Sequence, residues 1–145
     1  MKLGLRYPAT PENALEHAQL AVEASREEFG DDLDYSPGSL EALDGEIESL
    51  REEGMTAEDV AETLFVMGCY LGEVMLRSLR GRWLATSQSP LSGLSPWPMV
   101  VALPGGSVWD PIGKTYKRLA LGDSEYLPAY FAVAARGAAG AEGER

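Results

Sequence analysis

The sequence is short of several things, and each shortage closes off a class of chemistry. It has one cysteine in 145 residues. A single thiol cannot build a disulfide framework, a structural zinc cluster or a CxxC redox pair. It has one histidine, which excludes HExxH and any multi-histidine metal centre. No metal site and no cofactor are expected. The longest uncharged apolar stretch, Thr63 to Gly72, holds ten residues. A bilayer core needs about 20, so no membrane contact is expected. Residues 1–17 show no apolar leader segment, and a cytoplasmic protein is expected.

Positive charge is also scarce, and unevenly so. Residues 1–60 hold 16 acids and 4 bases, a balance of -12, while residues 61–145 hold 7 acids and 8 bases, or +1. A strongly acidic domain repels phosphate backbones, so no nucleic-acid partner is expected. The acidic part serves solubility alone, or it is a face that meets a basic partner.

What is present suits one globular domain. Hydrophobic residues make up 45% and charged residues 24%, and a chain of this length buries roughly 68–70% of its unfolded surface. The first helix is expected from Thr10, with Pro11 at its first position, to Gly30. Its inward stripe is read as Leu15, Ala18, Val22 and Phe29, and His17 as a surface or half-buried residue. A second helix follows Ser36 and Pro37, with Leu40, Leu43, Ile47 and Leu50 as its apolar seam. Glu41, Asp44, Glu46, Glu48, Glu52 and Glu53 occupy its other faces and are expected to be solvated.

The third helix opens at Thr56-Ala57-Glu58-Asp59, close to a capping box, and runs to about Arg80. Glu62, Glu73, Arg77 and Arg80 fall within about 60° of the helix wheel and the rest is apolar or small, which predicts a central, surrounded helix. Gly68 and Gly72 lie one turn apart and would let another element come close.

Strands are expected at Arg82–Ala85, Met99–Leu103 and Ser107–Trp109, around a Ser/Pro/Gly-rich loop and the turn Pro104-Gly105-Gly106. A fourth helix starts at Pro111 with Asp110 as its cap. Ile112, Tyr116 and Leu119 share its inner face; Lys114, Lys117 and Arg118 share the other. A fifth helix is expected over Ser124–Arg136. Residues 137–145 have no large apolar side chain and read as a disordered tail beyond a single domain of residues 1–136. The fold class is α+β, with a small antiparallel sheet against the central helix.

Two motifs are incomplete. Gly113-Lys114-Thr115 resembles the end of a phosphate-binding loop, but Val108 stands where that loop needs glycine. Asp32 to Pro37 resembles the start of a calcium loop, but Pro37 and Leu43 occupy its glycine and glutamate positions. Cys69 lies among apolar neighbours, where thiols are inert. No catalytic residue is assigned.

The candidate binding residues are Glu73, Arg77, Trp83, Trp97, Trp109, Lys114 and Lys117. Glu73 and Arg77 have the spacing of a helical ion pair. Alternatively Glu73 meets Trp83, Lys114 or Lys117 in a cleft that takes a small polar ligand. The three tryptophans fall within 27 residues, as core or as interface anchors. Residues 74–122 carry six bases and one acid, a patch that would match the acidic second helix within the molecule or in a second copy.

Gly68-Cys-Tyr-Leu-Gly-Glu73, Arg82-Trp83, Pro98 to Leu103, Asp110-Pro-Ile-Gly-Lys114, Lys117-Arg-Leu119 and Tyr130 together resemble a group of small bacterial domains of unknown function. Asp34 to Leu40 with Leu43-Asp44 resembles their helix entry. The resemblance covers about residues 33–135 and implies a single α+β domain with no established reaction. The expectation is a non-catalytic interaction module, with a homodimer or a basic protein as partner. The alternatives are a small-molecule or hydrolytic site around Glu73, Trp83 and Lys114, and an immunity-like protein that binds a basic toxin through its acidic face.

Overall fold

The computed structural model describes residues 4–143. Residues 1–3, and residues 144–145 at the end of the expected tail, lie outside this range. Among the described residues, five α-helices pack on a three-stranded antiparallel sheet, an α+β fold. The helices are α1 (Ala14–Phe29), α2 (Ser39–Glu52), α3 (Ala61–Leu79), α4 (Pro111–Leu121) and α5 (Leu127–Gly143). The strands are β1 (Arg82–Ala85), β2 (Met99–Ala102) and β3 (Val108–Trp109), in the order β1-β2-β3. No helix of the described residues is long and apolar enough to cross a membrane.

The centre is α3, as its wheel predicts. Every residue from Leu64 to Met75 is buried. Thr56 and Asp59 bond reciprocally as the sequence predicts, Thr56 N to Asp59 Oδ2 at 2.9 Å and Asp59 N to Thr56 Oγ1 at 3.2 Å, but they close a turn before the helix, which starts at Ala61 and not at Thr56. Its two glycines mark the closest crossings. A β-carbon on Gly68 would lie 2.5 Å from Ile112 Cα on α4, and one on Gly72 would collide with the Trp83 indole. The α4 backbone cannot retreat from Gly68 without disturbing Thr115 Oγ1, which donates to Leu64 O at 2.8 Å, or Tyr116 Oη, which donates to Ala61 O at 2.6 Å. Gly68→Ala is therefore expected to cost about 1–3 kcal/mol by overpacking, read as a fall in the urea midpoint.

The α1 face departs from the expected stripe. Leu15 is 38% exposed, while Ala14, His17, Ala18, Ala21 and Ser25 are buried. Small side chains let α1 lie close on α3, and that close approach outweighs the larger residues of the next face. His17 is correspondingly a core residue, with no exposed surface. Its Nε2 lies 3.0 Å from Pro8 O, and its ring meets Tyr7 and Phe65 edge-on at 5.8 Å and 5.1 Å.

The C-terminal end also departs. A short 3-10 turn, Gly122–Glu125, precedes α5, which begins at Leu127 and runs to Gly143, past the expected end of the domain. Alanine is the best helix former, so the Ala-rich stretch after Gly137 continues the helix without large apolar residues. Ala138, 4% exposed, tucks against the core.

Register places the sheet's side chains on two faces. Trp83, Val101 and Trp109 pair across the three strands and share the inner face, where Trp83 lies on Gly72 of α3. Arg82, Ala102 and Val108 pair one residue over and share the outer face, with Leu84 in the next row.

Candidate functional site

The candidate residues separate into three places. Glu73 is 7% exposed on α3, and Trp83 Nε1 donates to its Oε2 at 2.9 Å. Gly72 makes the room for the indole, so glycine, glutamate and tryptophan form one structural device. The expected Glu73–Arg77 ion pair does not form. Arg77 lies instead over the Tyr35 ring, 3.7 Å from its centre, and Tyr35 stacks on Tyr70 at 4.8 Å. The planar guanidinium stacks on the aromatic face, while Glu73 Oε2 is turned to the Trp83 indole.

Lys114 does not meet Glu73. It pairs with Glu125 and lies 5.1 Å from the centre of the Tyr130 ring, which Trp109 meets edge-on at 5.4 Å. The Lys114 ammonium holds the Glu125 carboxyl below its ordinary range. Burial of Tyr130 pushes its phenol well above the ordinary value, so it stays neutral. Trp109 Nε1 donates to Ser107 Oγ at 2.9 Å. The indoles of Trp83 and Trp109 thus pack inward and find internal acceptors.

Trp97 and Lys117 do converge. Trp97 stacks on Tyr116 with ring centres 4.2 Å apart, and both line a groove of about 380 Å³ with Leu91, Leu94, Pro96 and Lys117. Asp110 closes one side. It caps α4 as the sequence predicts, accepting Gly113 N at 2.9 Å, and also accepts Ser95 Oγ at 2.9 Å. A second groove of about 540 Å³ lies on the outer face of the sheet. Leu84, Ala102 and Val108 form its floor, Pro90 and Pro104 its walls, and Arg80 and Arg82 its rim. Neither Glu73 nor Trp83 lines either groove.

Comparison with protein-family models, curated proteins and solved structures finds no match.

The remaining polar concentration is structural. Arg118, expected on the outer face of α4, is 3% exposed. Its Nε donates to Asp44 Oδ1 at 2.9 Å, its Nη2 to Asp44 Oδ2 at 3.1 Å, and its Nη1 to Glu48 Oε1 at 2.9 Å. The expected match between the basic patch and acidic α2 is thus made inside the molecule at this one arginine. It turns Asp44 inward rather than to solvent. Glu46 is also buried, at 2% exposed, and accepts Ser25 Oγ from α1 at 2.8 Å. Burial keeps the Cys69 thiol protonated and far from nucleophilic. Among the described residues, no three His, Cys, Asp or Glu side chains are grouped to hold a metal ion.

Arg80, Arg82, Leu91, Leu94 and Tyr116 line the grooves but are not among the candidate binding residues expected from the sequence. The signal for them was the run of Ser, Pro and Gly between β1 and β2, which lifts a loop away from the sheet and leaves a hollow on either side.

Proposed function

We propose that the chain is a non-catalytic binding module for a protein partner, with the outer side of the hairpin as its contact surface. One observation carries this reading. Two grooves flank a single loop, Pro90 in one and Leu91 in the other, the second lined chiefly by aliphatic and aromatic side chains, while Leu94 projects from that loop at 77% exposure. Asp110, Glu73 and Lys114 each engage an internal partner, and the charged side chains left without an ion-pair partner at the grooves among the described residues, Arg80, Arg82 and Lys117, are all cations. Trp97, Tyr116 and Leu94 supply the kind of aromatic and aliphatic anchors that dominate protein interfaces.

The test is a photo-crosslinking side chain placed at Leu94 and, separately, at Gln19, exposed on α1. The expected result in native lysate is one discrete adduct from the Leu94 probe, lost on Trp97→Ala. The same diffuse adducts from both positions would end the proposal.

A second reading is favoured by the acids. Eleven of the 16 in residues 1–60 are exposed, and among the described residues only Asp32 of these has an ion-pair partner, Arg26. A basic partner held on that face, as an immunity-like protein would hold a toxin, would be lost steeply with added salt. A partner seated in the hairpin grooves would respond little.

A further inference from the structure

Two surface features at opposite ends of α3 complement each other. The first is the groove on the outer face of the sheet. Arg80 and Arg82 on its rim are exposed, and neither has an ion-pair partner among the described residues. Arg80 holds φ at 59°, the left-handed region that favours glycine, although Gly81 is the next residue. The helix end thereby presents a guanidinium at the groove mouth. Behind both arginines lies an apolar floor of Leu84, Ala102 and Val108.

The second feature is the connector between α2 and α3. Met55 is 39% exposed there. Glu52, Glu53 and Glu58 around it are exposed, whereas Asp59 is engaged in its cap with Thr56. The connector therefore offers an apolar thioether between carboxylates, and the groove offers an apolar floor beside guanidiniums. The 19 residues of α3 separate the two by about 28 Å along the helix axis, so they do not meet within one chain.

We propose that the occupant of the sheet groove is the α2–α3 connector of a second copy of this chain. With the two α3 helices antiparallel, each connector seats on the other copy's groove, giving two equivalent contacts about a two-fold axis that closes the assembly. Met55 then covers the Leu84–Ala102–Val108 floor, and Glu53 and Glu58 face Arg80 and Arg82. Repulsion between the acidic α1 and α2 surfaces is screened beyond about 8–10 Å at physiological salt. The contact pairs lie inside that distance and are partly dehydrated. This inference rests on the hairpin's outer side being a contact surface, and it names the partner.

Sedimentation velocity on the full chain near physiological salt tests it. Wild type is expected to dimerise. Arg80→Glu with Arg82→Glu, and separately Glu53→Arg with Glu58→Arg, are each expected to weaken dimerisation by at least about tenfold. An equimolar mixture of the two variants restores both contacts with their charges reversed at one, so a heterodimer with affinity within about threefold of wild type is expected. Met55→Asp is expected to weaken the dimer without that rescue. Arg82→Glu alone replaces the double variant if the latter does not fold. Wild type monomeric up to about 0.5 mM, a concentration at which even weak specific pairs associate, overturns the inference. So does a mixture of folded variants no better than either alone. A discrete Leu94 adduct with a different protein, from a chain that stays monomeric, sinks the dimer and leaves the hairpin surface standing.

Discussion

Asp44→Ala is expected to lower the free energy of unfolding by about 3–5 kcal/mol, the cost of leaving one partner of a buried ion pair alone. The size follows from what Asp44 holds. Both its oxygens accept the Arg118 fork, and Oδ1 also accepts Leu127 N, the first backbone donor of α5, at 2.9 Å. Alanine leaves a guanidinium that is 3% exposed with only Glu48 as partner, and orphans a buried N–H. The urea midpoint should fall with an unchanged slope, because the loss is in contacts and not in native compactness. Asp44→Leu with Arg118→Met removes both charges together and should recover the part of the loss due to the unpaired guanidinium, though not the part due to the orphaned Leu127 N–H. A loss below about 1 kcal/mol for Asp44→Ala would show that water reaches the pair, as it does for surface ion pairs.

That network explains an oddity of the charge distribution. Helix α2 looks too acidic to be anything but a solvated rod, yet two of its carboxylates join elements far along the chain. Asp44 reaches Arg118 on α4, 74 residues on, and Leu127 at the start of α5, 83 residues on. Glu48 adds a third bond to the same guanidinium, which pulls its carboxyl below the ordinary range. The acid surplus of residues 1–60 is thus partly a set of tethers for the C-terminal helices.

The elements legible in the sequence were those set by near neighbours. Asp110 followed by Pro111 starts α4 because cap and first turn are local, and the prolines around Met99–Ala102 bound β2 for the same reason. The glycines of α3 announced close crossings before their partners, Ile112 and Trp83, were known. Burial of charge was illegible. Periodicity sorts residues by polarity, and Asp44, Glu46 and Arg118 are polar residues that go inside because distant partners await them. The α1 face failed in the opposite sense: its buried side is alanine, serine and His17, which carry little apolar weight on a wheel, while Leu15 remains at the surface. For the candidate site, residue type pointed to Trp97 and Lys117. The hollow they share is made by a loop whose path no local rule supplies.

Stability is expected to fall as pH rises from about 5 to 8, and Glu46→Gln is expected to flatten that slope. Glu46 sits between α2 and α1, 2% exposed; Ser25 donates to Oε1, and no donor reaches the buried Oε2. Burial first, and then the Asp31 carboxylate beside it, push its pKa up from 4.5 to about 8; the negative field of Glu28 adds to this and the Ser25 bond opposes it. The protonated form satisfies the site, because its O–H can donate to Asp31. Between these values the folded chain holds a proton that the unfolded chain has released. Stability therefore declines with pH across this window, and the loss is complete above the folded value. At about 1.4 kcal/mol per unit, the decline from pH 5 to 8 amounts to roughly 3–4 kcal/mol. Glu48, Glu125, Asp34 and Asp59 are shifted down instead, so they are ionised in both states above about pH 5 and add no slope there. Glutamine keeps an acceptor for Ser25 and an N–H donor for Asp31 without the titration. Urea midpoints at four or five pH values should give a falling line for wild type and a flatter one for Glu46→Gln, the two meeting near pH 5. Parallel lines would mean that Glu46 ionises freely in the folded protein, with water beside its Oε2.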